Sequence, residues 1–133
     1  MVPKNIKLLL VDDDKFLLGM YSLKFSNKGF NVDSTVGSLE ALKKLRVGAV
    51  YDIILIDIIM PGMDGLDLLK TMREEKLSPD ATVIMLTNQG QSADIDRAKS
   101  LNVQGYIVKA STIPSEVLDE VMKIYSANKG FKK

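Results

Sequence analysis

Five short apolar segments alternate with five longer segments of helical periodicity along this chain of 133 residues. This alternation predicts an α/β domain with a parallel sheet, because parallel neighbouring strands must be joined by a crossover, which is usually a helix. Right-handed crossovers then give a doubly wound sheet of five strands with five helices, in the order 2-1-3-4-5. The predicted strands are Lys7–Val11, Asn31–Thr35, Ile53–Ile56, Thr82–Leu86 and Gly105–Val108.

The composition of these segments predicts how each is packed. The first, third and fourth strands are almost wholly apolar, as strands covered on both faces are, whereas the second reads NVDST and is predicted to be an edge. On the first helix, Phe16, Met20 and Leu23 are spaced to form the buried stripe. The length suits a single domain over residues 1–133, with a core over 7–127 and a short basic tail over 128–133.

Acidic, hydroxyl and amine side chains stand where four of the predicted strands end. They are Asp12, Asp13 and Asp14 after the first strand, Asp57 after the third, Thr87 after the fourth and Lys109 after the fifth. In an open parallel sheet the carboxyl ends of the strands border the ligand crevice, and the order 2-1-3-4-5 puts the first and third strands side by side. Clustered carboxylates suit a hard cation, and a hydroxyl with an ammonium group suits a phosphoryl group. The sequence therefore predicts an Mg²⁺-dependent phosphoryl acceptor.

Each of these residues also has an ordinary structural interpretation. Asp14 is explained as the N-cap of the first helix, since a carboxylate there accepts hydrogen bonds from free backbone N–H groups. One cap does not explain Asp12 and Asp13 as well. Asp57 lies in the apolar segment IILIDIIMPG, where a buried charge requires a partner. Lys109 alone could be a strand-end lysine that reaches solvent, so the prediction depends on the joint placement of these residues.

The composition excludes several kinds of chemistry. Without cysteine and histidine, the chain has no disulfide, no thiolate site, no Ser-His-Asp triad and no phosphohistidine of its own. Its 18 basic and 17 acidic residues give a net charge of +1, so no strong field favours nucleic acid or a membrane. No apolar run approaches a membrane span or a signal peptide, and we expect a cytoplasmic protein.

With these motifs in place, the whole chain resembles a known family, the receiver domains of two-component response regulators. The resemblance covers five βα units from Lys7 to about Ala127. It rests on VDDD, on the strand-end residues, on Tyr106 before Lys109, and on the segment DIIMPGMDG, in which a Pro-Gly turn and a second glycine lead into the third helix. It implies a flavodoxin-like (βα)5 fold and a phosphorylation-controlled interaction module, not an enzyme that turns over an external substrate.

The resemblance also implies how the site would work. Asp57 would accept the phosphoryl group from the phosphohistidine of a sensor histidine kinase or a histidine phosphotransfer protein. Asp13, Asp57 and the backbone carbonyl of Ile59 would hold Mg²⁺, with Asp12 reaching the ion mostly through water.

Three further residues would detect the phosphoryl group. The resemblance implies that Lys109 pairs with one phosphoryl oxygen and Thr87 hydrogen-bonds to another. Movement of Thr87 would let Tyr106 turn inward and alter the face made by helix 4, strand 5 and helix 5, where a downstream protein would bind. No direct contact with nucleic acid or a membrane is expected.

Two positions depart from the usual family pattern. Ala110 follows Lys109 where many members have proline, and a cis bond without proline would cost about 3–4 kcal/mol. This cost favours a trans Lys109–Ala110 bond, but the sequence does not determine its state, and the exact position of Lys109 stays open. Asn88 follows Thr87 where a small residue is usual, which would narrow access to the site.

Three alternatives stay open at this point. The pattern Asp12-x-Asp14 is similar to the opening motif of haloacid-dehalogenase-type phosphatases, but that family usually needs further acidic ligands after a late strand and would leave Asp57 unexplained. A flavin-binding flavodoxin-like protein would need a phosphate-binding loop after the first strand, where three aspartates would repel phosphate. A pseudo-receiver that is never phosphorylated would lack a working pocket, whereas here every pocket position is filled.

Overall fold

The computed structural model describes residues 6–87, 92–108 and 114–129 of the chain. The strands are β1 (Lys7–Asp12), β2 (Asn31–Val36), β3 (Ile53–Asp57), β4 (Thr82–Thr87) and β5 (Gly105–Val108). The helices are α1 (Lys15–Asn27), α2 (Ser38–Arg46), α3 (Gly65–Glu75), α4 (Ser92–Ser100) and α5 (Pro114–Lys129). Within these ranges, none of the helices combines the length and the apolar character needed to cross a membrane.

The sheet confirms the predicted fold. All neighbouring strands are parallel, in the order β2-β1-β3-β4-β5, and the polar strand β2 lies at one edge as its composition predicted. The first four strands each extend one residue further than predicted. The extra residue is Asp12 in β1, Asp57 in β3 and Thr87 in β4, so these three polar residues are the last residues of their strands.

Apolar residues pack on both faces of the sheet. In the central strand β3, Ile54 and Ile56 belong to the core on the side of α2 and α3. Ile53 and Leu55 belong to the core on the side of α1 and α5. Each of the four is at most 1% exposed, and burial of such a side chain contributes about 1.5–3 kcal/mol to stability. A strand held on both faces also fixes the position of its last residue, Asp57.

Helix α1 buries a different face from the one predicted. Phe16 and Leu23 are 78% and 63% exposed, so the predicted stripe of Phe16, Met20 and Leu23 is wrong at these two positions. Met20 is partly buried and packs against the core. The residues that are buried instead are Leu18, Tyr21 and Phe25. Apolar residues point in almost every direction around this helix, so their spacing fits more than one stripe. Packing against β1, β2 and α5 decides which of them is buried.

The start of α1 agrees with the predicted N-cap. The Asp14 carboxylate accepts hydrogen bonds from the backbone N–H groups of Phe16 at 3.0 Å and Leu17 at 3.2 Å. These bonds satisfy two donors that have no partner within the helix. Asp14 is thus explained by the fold.

Candidate functional site

Three carboxylates meet at the carboxyl edge of the sheet. Val11 of β1 is aligned with Ile56 of β3, so Asp12 and Asp57 end adjacent strands side by side. One carboxylate oxygen from each of Asp12, Asp13 and Asp57 lies within 4.8 Å of the other two. Asp12 and Asp57 are each 7% exposed, whereas Asp13 faces solvent. The structure thus brings together the three aspartates that the sequence places at neighbouring strand ends.

Like charges at this spacing repel one another. Two unit charges 4.8 Å apart repel by about 3–4 kcal/mol at an effective dielectric constant near 20. The backbone N–H of Asp14 offsets part of the charge, since it donates a hydrogen bond to Asp12 Oδ1 at 3.0 Å. A hard cation with oxygen ligands would offset far more, and Mg²⁺ is usually held by one or two carboxylates directly, together with several waters. The donor set therefore fits Mg²⁺.

The loop between β3 and α3 offers a further oxygen. The N–H of Ile58 donates to the Leu86 carbonyl at 3.2 Å, and the Ile58 carbonyl accepts from Gly65 N at 2.8 Å. The next residue, Ile59, has a side chain that is 62% exposed. Its carbonyl accepts no backbone hydrogen bond from the described residues. That carbonyl, two residues after Asp57, is suited to the ligand role that the family resemblance implies.

Helix α3 begins directly against the end of β3, and glycine at position 65 makes this approach possible. A Cβ atom at Gly65 would overlap the Asp57 carbonyl oxygen and lie 2.9 Å from Ile56 Cγ2 and Ile58 Cα. The sequence marked Gly65 as a turn residue leading into the helix. Close packing is the physical reason for glycine, because its φ does not fall in the left-handed region.

Thr87 ends the strand on the other side of β3. Asp57 is aligned with Leu86 of β4, so Thr87 lies one residue beyond this level. Its side chain is only 1% exposed. Thr87 is aligned in turn with Val108 of β5, which leads directly to Lys109. The strand register therefore places the predicted hydroxyl of Thr87 at the sheet edge beside the end of β3.

Tyr106 lies on the same strand, β5, two residues before Val108. Burial raises the pKa of the Tyr106 hydroxyl, the Asp94 charge raises it further, and the Thr87 hydroxyl lowers it. Thr87 is thus near the tyrosine oxygen, although this buried oxygen makes no hydrogen bond of ordinary geometry with any described residue. The predicted partners Thr87 and Tyr106 are therefore neighbours.

Several predicted features lie outside the described residues. These are Lys109, Ala110, the cis or trans state of the bond between them, the narrowing by Asn88, and the tail over residues 130–133. They stay predictions.

Two arginines that the sequence did not single out connect α3 with α4. Arg97 Nη2 lies 2.8 Å from Asp67 Oδ1, and this hydrogen bond holds the pKa of the Asp67 carboxyl below its usual value. Arg73 donates to the carbonyls of Leu101 at 3.0 Å and Asn102 at 2.9 Å. The partners are 28 to 30 residues apart in the chain, so no local pattern could have predicted them.

Comparison with known proteins gives a family match over most of the chain. Residues 8–121 match the family described as "Response regulator receiver domain". Chemotaxis protein CheY-3 of Vibrio cholerae is 34% identical over 123 residues, which cover 90% of this chain and 94% of that protein. The transcriptional regulatory protein ResD of Bacillus subtilis is 33% identical over 112 residues, or 84% of this chain. The match spans only 45% of ResD.

Solved structures of response regulators also match this chain. The chemotaxis protein CheY4 of Vibrio cholerae is 27% identical with a TM-score of 0.82, over 90% of this chain and 98% of that one. The response regulator TrrA of Thermotoga maritima, solved in complex with Mg²⁺ and BeF, is 30% identical with a TM-score of 0.75. That match covers 89% of this chain and 97% of TrrA.

Proposed function

This chain belongs to the response regulator receiver domains of two-component systems, and on that basis we propose that Asp57 is its phosphoacceptor. A sensor histidine kinase or histidine phosphotransfer protein would supply the phosphoryl group with Mg²⁺ present, and the modified chain would switch a protein-interaction face. One observation carries the proposal: Asp57 is buried at the end of the central strand, with carboxylate oxygens of Asp12 and Asp13 within 4.8 Å.

The transfer joins one Asp57 carboxylate oxygen to phosphorus and breaks the bond between phosphorus and a histidine nitrogen of the donor. The reacting atoms must be about 3–3.5 Å apart and aligned, and a strand end packed on both faces holds the carboxylate still for this step. Asp12, Asp13, Asp57 and the Ile59 carbonyl would hold Mg²⁺. Bound Mg²⁺ supplies positive charge that offsets charge on the transferring phosphoryl oxygens. The TrrA complex with Mg²⁺ and BeF supports this assignment by similarity.

The signal would pass from the site to the face made by α4, β5 and α5. In this proposal Lys109 and Thr87 bind two phosphoryl oxygens, and Thr87 moves toward the site. Tyr106 responds because it lies near Thr87 and belongs to β5. A downstream protein binds this face.

The family match distinguishes among the three alternatives that the sequence left open. The family match over residues 8–121 favours a receiver over a dehalogenase-type phosphatase or a flavin-binding protein. Receiver domains are signalling modules, and the comparisons indicate no enzyme family. We therefore propose that the chain does not turn over external phosphate esters. A pseudo-receiver remains the alternative that a phosphorylation assay decides.

The test is intact-mass spectrometry of the full chain after incubation with acetyl phosphate and Mg²⁺. We expect one added phosphoryl group, and none when EDTA removes the metal. Asp57→Asn should abolish the addition. Asp96→Asn is the matched control, since Asp96 is an exposed aspartate on α4 outside the site. Phosphorylation of the Asp57→Asn variant on Asp12 or Asp13 would refute the assignment, and an unmodified wild-type chain would indicate a pseudo-receiver.

A further inference from the structure

An acidic groove lies between the edge strand β5 and helix α5. This β5–α5 groove has a volume of about 630 Å³. Residues 106–108 form its strand side, and Glu116, Asp119, Glu120 and Lys123 form its helix side. The strand side offers the largely apolar side chains of tyrosine, isoleucine and valine, so the groove has one apolar wall and one charged wall.

The charged wall carries three carboxylates and one ammonium group. Its four residues follow the spacing i, i+3, i+4 and i+7, which places them on one face of α5. Glu116 lies in the first turn, where the helix dipole favours an acid. Lys123 pairs with Glu120 at 3.4 Å. Asp119 is exposed and has no ion-pair partner among the described residues. Lys123 is spaced to attract both Asp119 and Glu120, whereas Glu116 stands at like-charge spacing from both. One ammonium group against three carboxylates therefore leaves this face with an excess of negative charge.

The chemistry of the two walls defines what fits between them. We infer that the β5–α5 groove binds a segment of a partner protein in which lysine or arginine residues flank an apolar side chain. The apolar side chain contacts the strand wall, and the basic residues lie against the three carboxylates, whose charge exceeds that of the single Lys123 ammonium. The chain as a whole has a net charge of only +1, so this complementarity is local to the groove.

Other occupants fit the groove less well. Nucleic acid and anionic membrane surfaces carry phosphates, which the carboxylates repel. A metal ion needs acidic ligands close together, and within the described ranges the acidic group that meets this need is Asp12, Asp13 and Asp57. A basic peptide segment satisfies both walls at once.

The regulation of this binding rests on the proposed function. Tyr106 lines the groove and also lies near Thr87, which is next to the proposed phosphoryl site. A movement of Thr87 on phosphorylation of Asp57 therefore changes the strand wall. The basic segment should bind more tightly when beryllofluoride, a phosphoryl mimic, occupies the site with Mg²⁺.

Two synthetic peptides test the inference on the full chain. They share their length and apolar residues, but one has lysine and the other glutamate at every polar position. The lysine peptide should bind at least about tenfold more tightly, with an affinity that falls as salt is added. In heteronuclear NMR spectra it should shift the amides of residues 106–108 and 116–123. Equal binding of both peptides, no binding of the lysine peptide, or shifts confined to another surface would overturn the inference.

Charge reversals separate the groove from the rest of the surface. Asp119→Lys should weaken binding of the lysine peptide by about fivefold. Glu74→Lys makes the same charge change on an exposed residue of α3, outside the groove, and should leave the affinity unchanged. An equal loss in both variants would show that only net charge matters and would refute the site.

Further measurements distinguish failure of the inference about the groove from failure of the proposed function. Intact-mass spectrometry reports phosphorylation of Asp57 independently of the peptide. If the chain is phosphorylated but beryllofluoride does not change the affinity, the regulatory link is wrong. Sedimentation of the free wild-type chain and of the Asp119→Lys variant shows whether a second copy already covers the groove. A wild-type dimer that this substitution dissociates would overturn the inference.

Discussion

Replacing Asp13 by asparagine should stabilise the protein without metal and remove most of its stabilisation by Mg²⁺. The variant keeps the shape of the side chain but removes one of three carboxylates whose oxygens lie within 4.8 Å of one another. A charge pair at that distance repels by about 1 kcal/mol in bulk water and about 3–4 kcal/mol at an effective dielectric constant near 20. Asp13 is exposed, so the two pairs it forms lie toward the lower value. We expect a net gain of about 1–3 kcal/mol in EDTA.

Thermal and urea unfolding with EDTA or with Mg²⁺ measure both effects. For a domain of this size, 1 kcal/mol corresponds to roughly 3–5 °C in Tm. Wild-type protein should gain about 2.7 kcal/mol at an Mg²⁺ concentration one hundred times its Kd, and the variant much less at the same concentration. Glu74→Gln removes one negative charge at an exposed position of α3 and controls for net charge. A variant that melts below wild type in EDTA, yet gains the same stability from Mg²⁺, would contradict the metal-site interpretation.

Three other substitutions test separate parts of the site. Gly65→Ala should destabilise the fold by about 1–3 kcal/mol in urea unfolding, because its Cβ would overlap the end of β3. The control Gly19→Ala has open space around it on α1 and should stabilise the fold by about 0.5–1 kcal/mol. Equal effects of the two substitutions would refute the close-packing argument. Lys109→Ala should still be phosphorylated but should lose the beryllofluoride-induced amide shifts in β5, and wild-type shifts would exclude its coupling role. Ile59→Asn should speed loss of the phosphoryl group in a mass-spectrometric time course, since the branched side chain crowds the path of an in-line water. Val50→Asn, at an exposed position in the α2–β3 loop, should not change that rate, and an unchanged rate in both variants would show that access at Ile59 does not limit hydrolysis.

The sequence alone was sufficient to predict the fold and the meeting of three aspartates. Apolar strands and amphipathic helices differ in local period, and strict alternation between them permits few topologies. The rule that parallel strands present their carboxyl ends at one edge then brings Asp12 beside Asp57. The polar character of β2 likewise predicted its edge position, which the sheet order confirms.

Tertiary structure decided the features that depend on which surfaces come into contact. The apolar residues of α1 permit several stripes, and packing against β1, β2 and α5 buried the one containing Leu18 and left Phe16 in solvent. Glycine at position 65 reflects the closeness of α3 to the Asp57 carbonyl, which no sequence spacing measures. The Arg97–Asp67 pair likewise joins residues 30 positions apart. Local periodicity specifies what each element is, because it depends on neighbouring residues. Contacts such as the Arg97–Asp67 pair depend instead on the distances between elements, and these distances are set only when the whole core is packed.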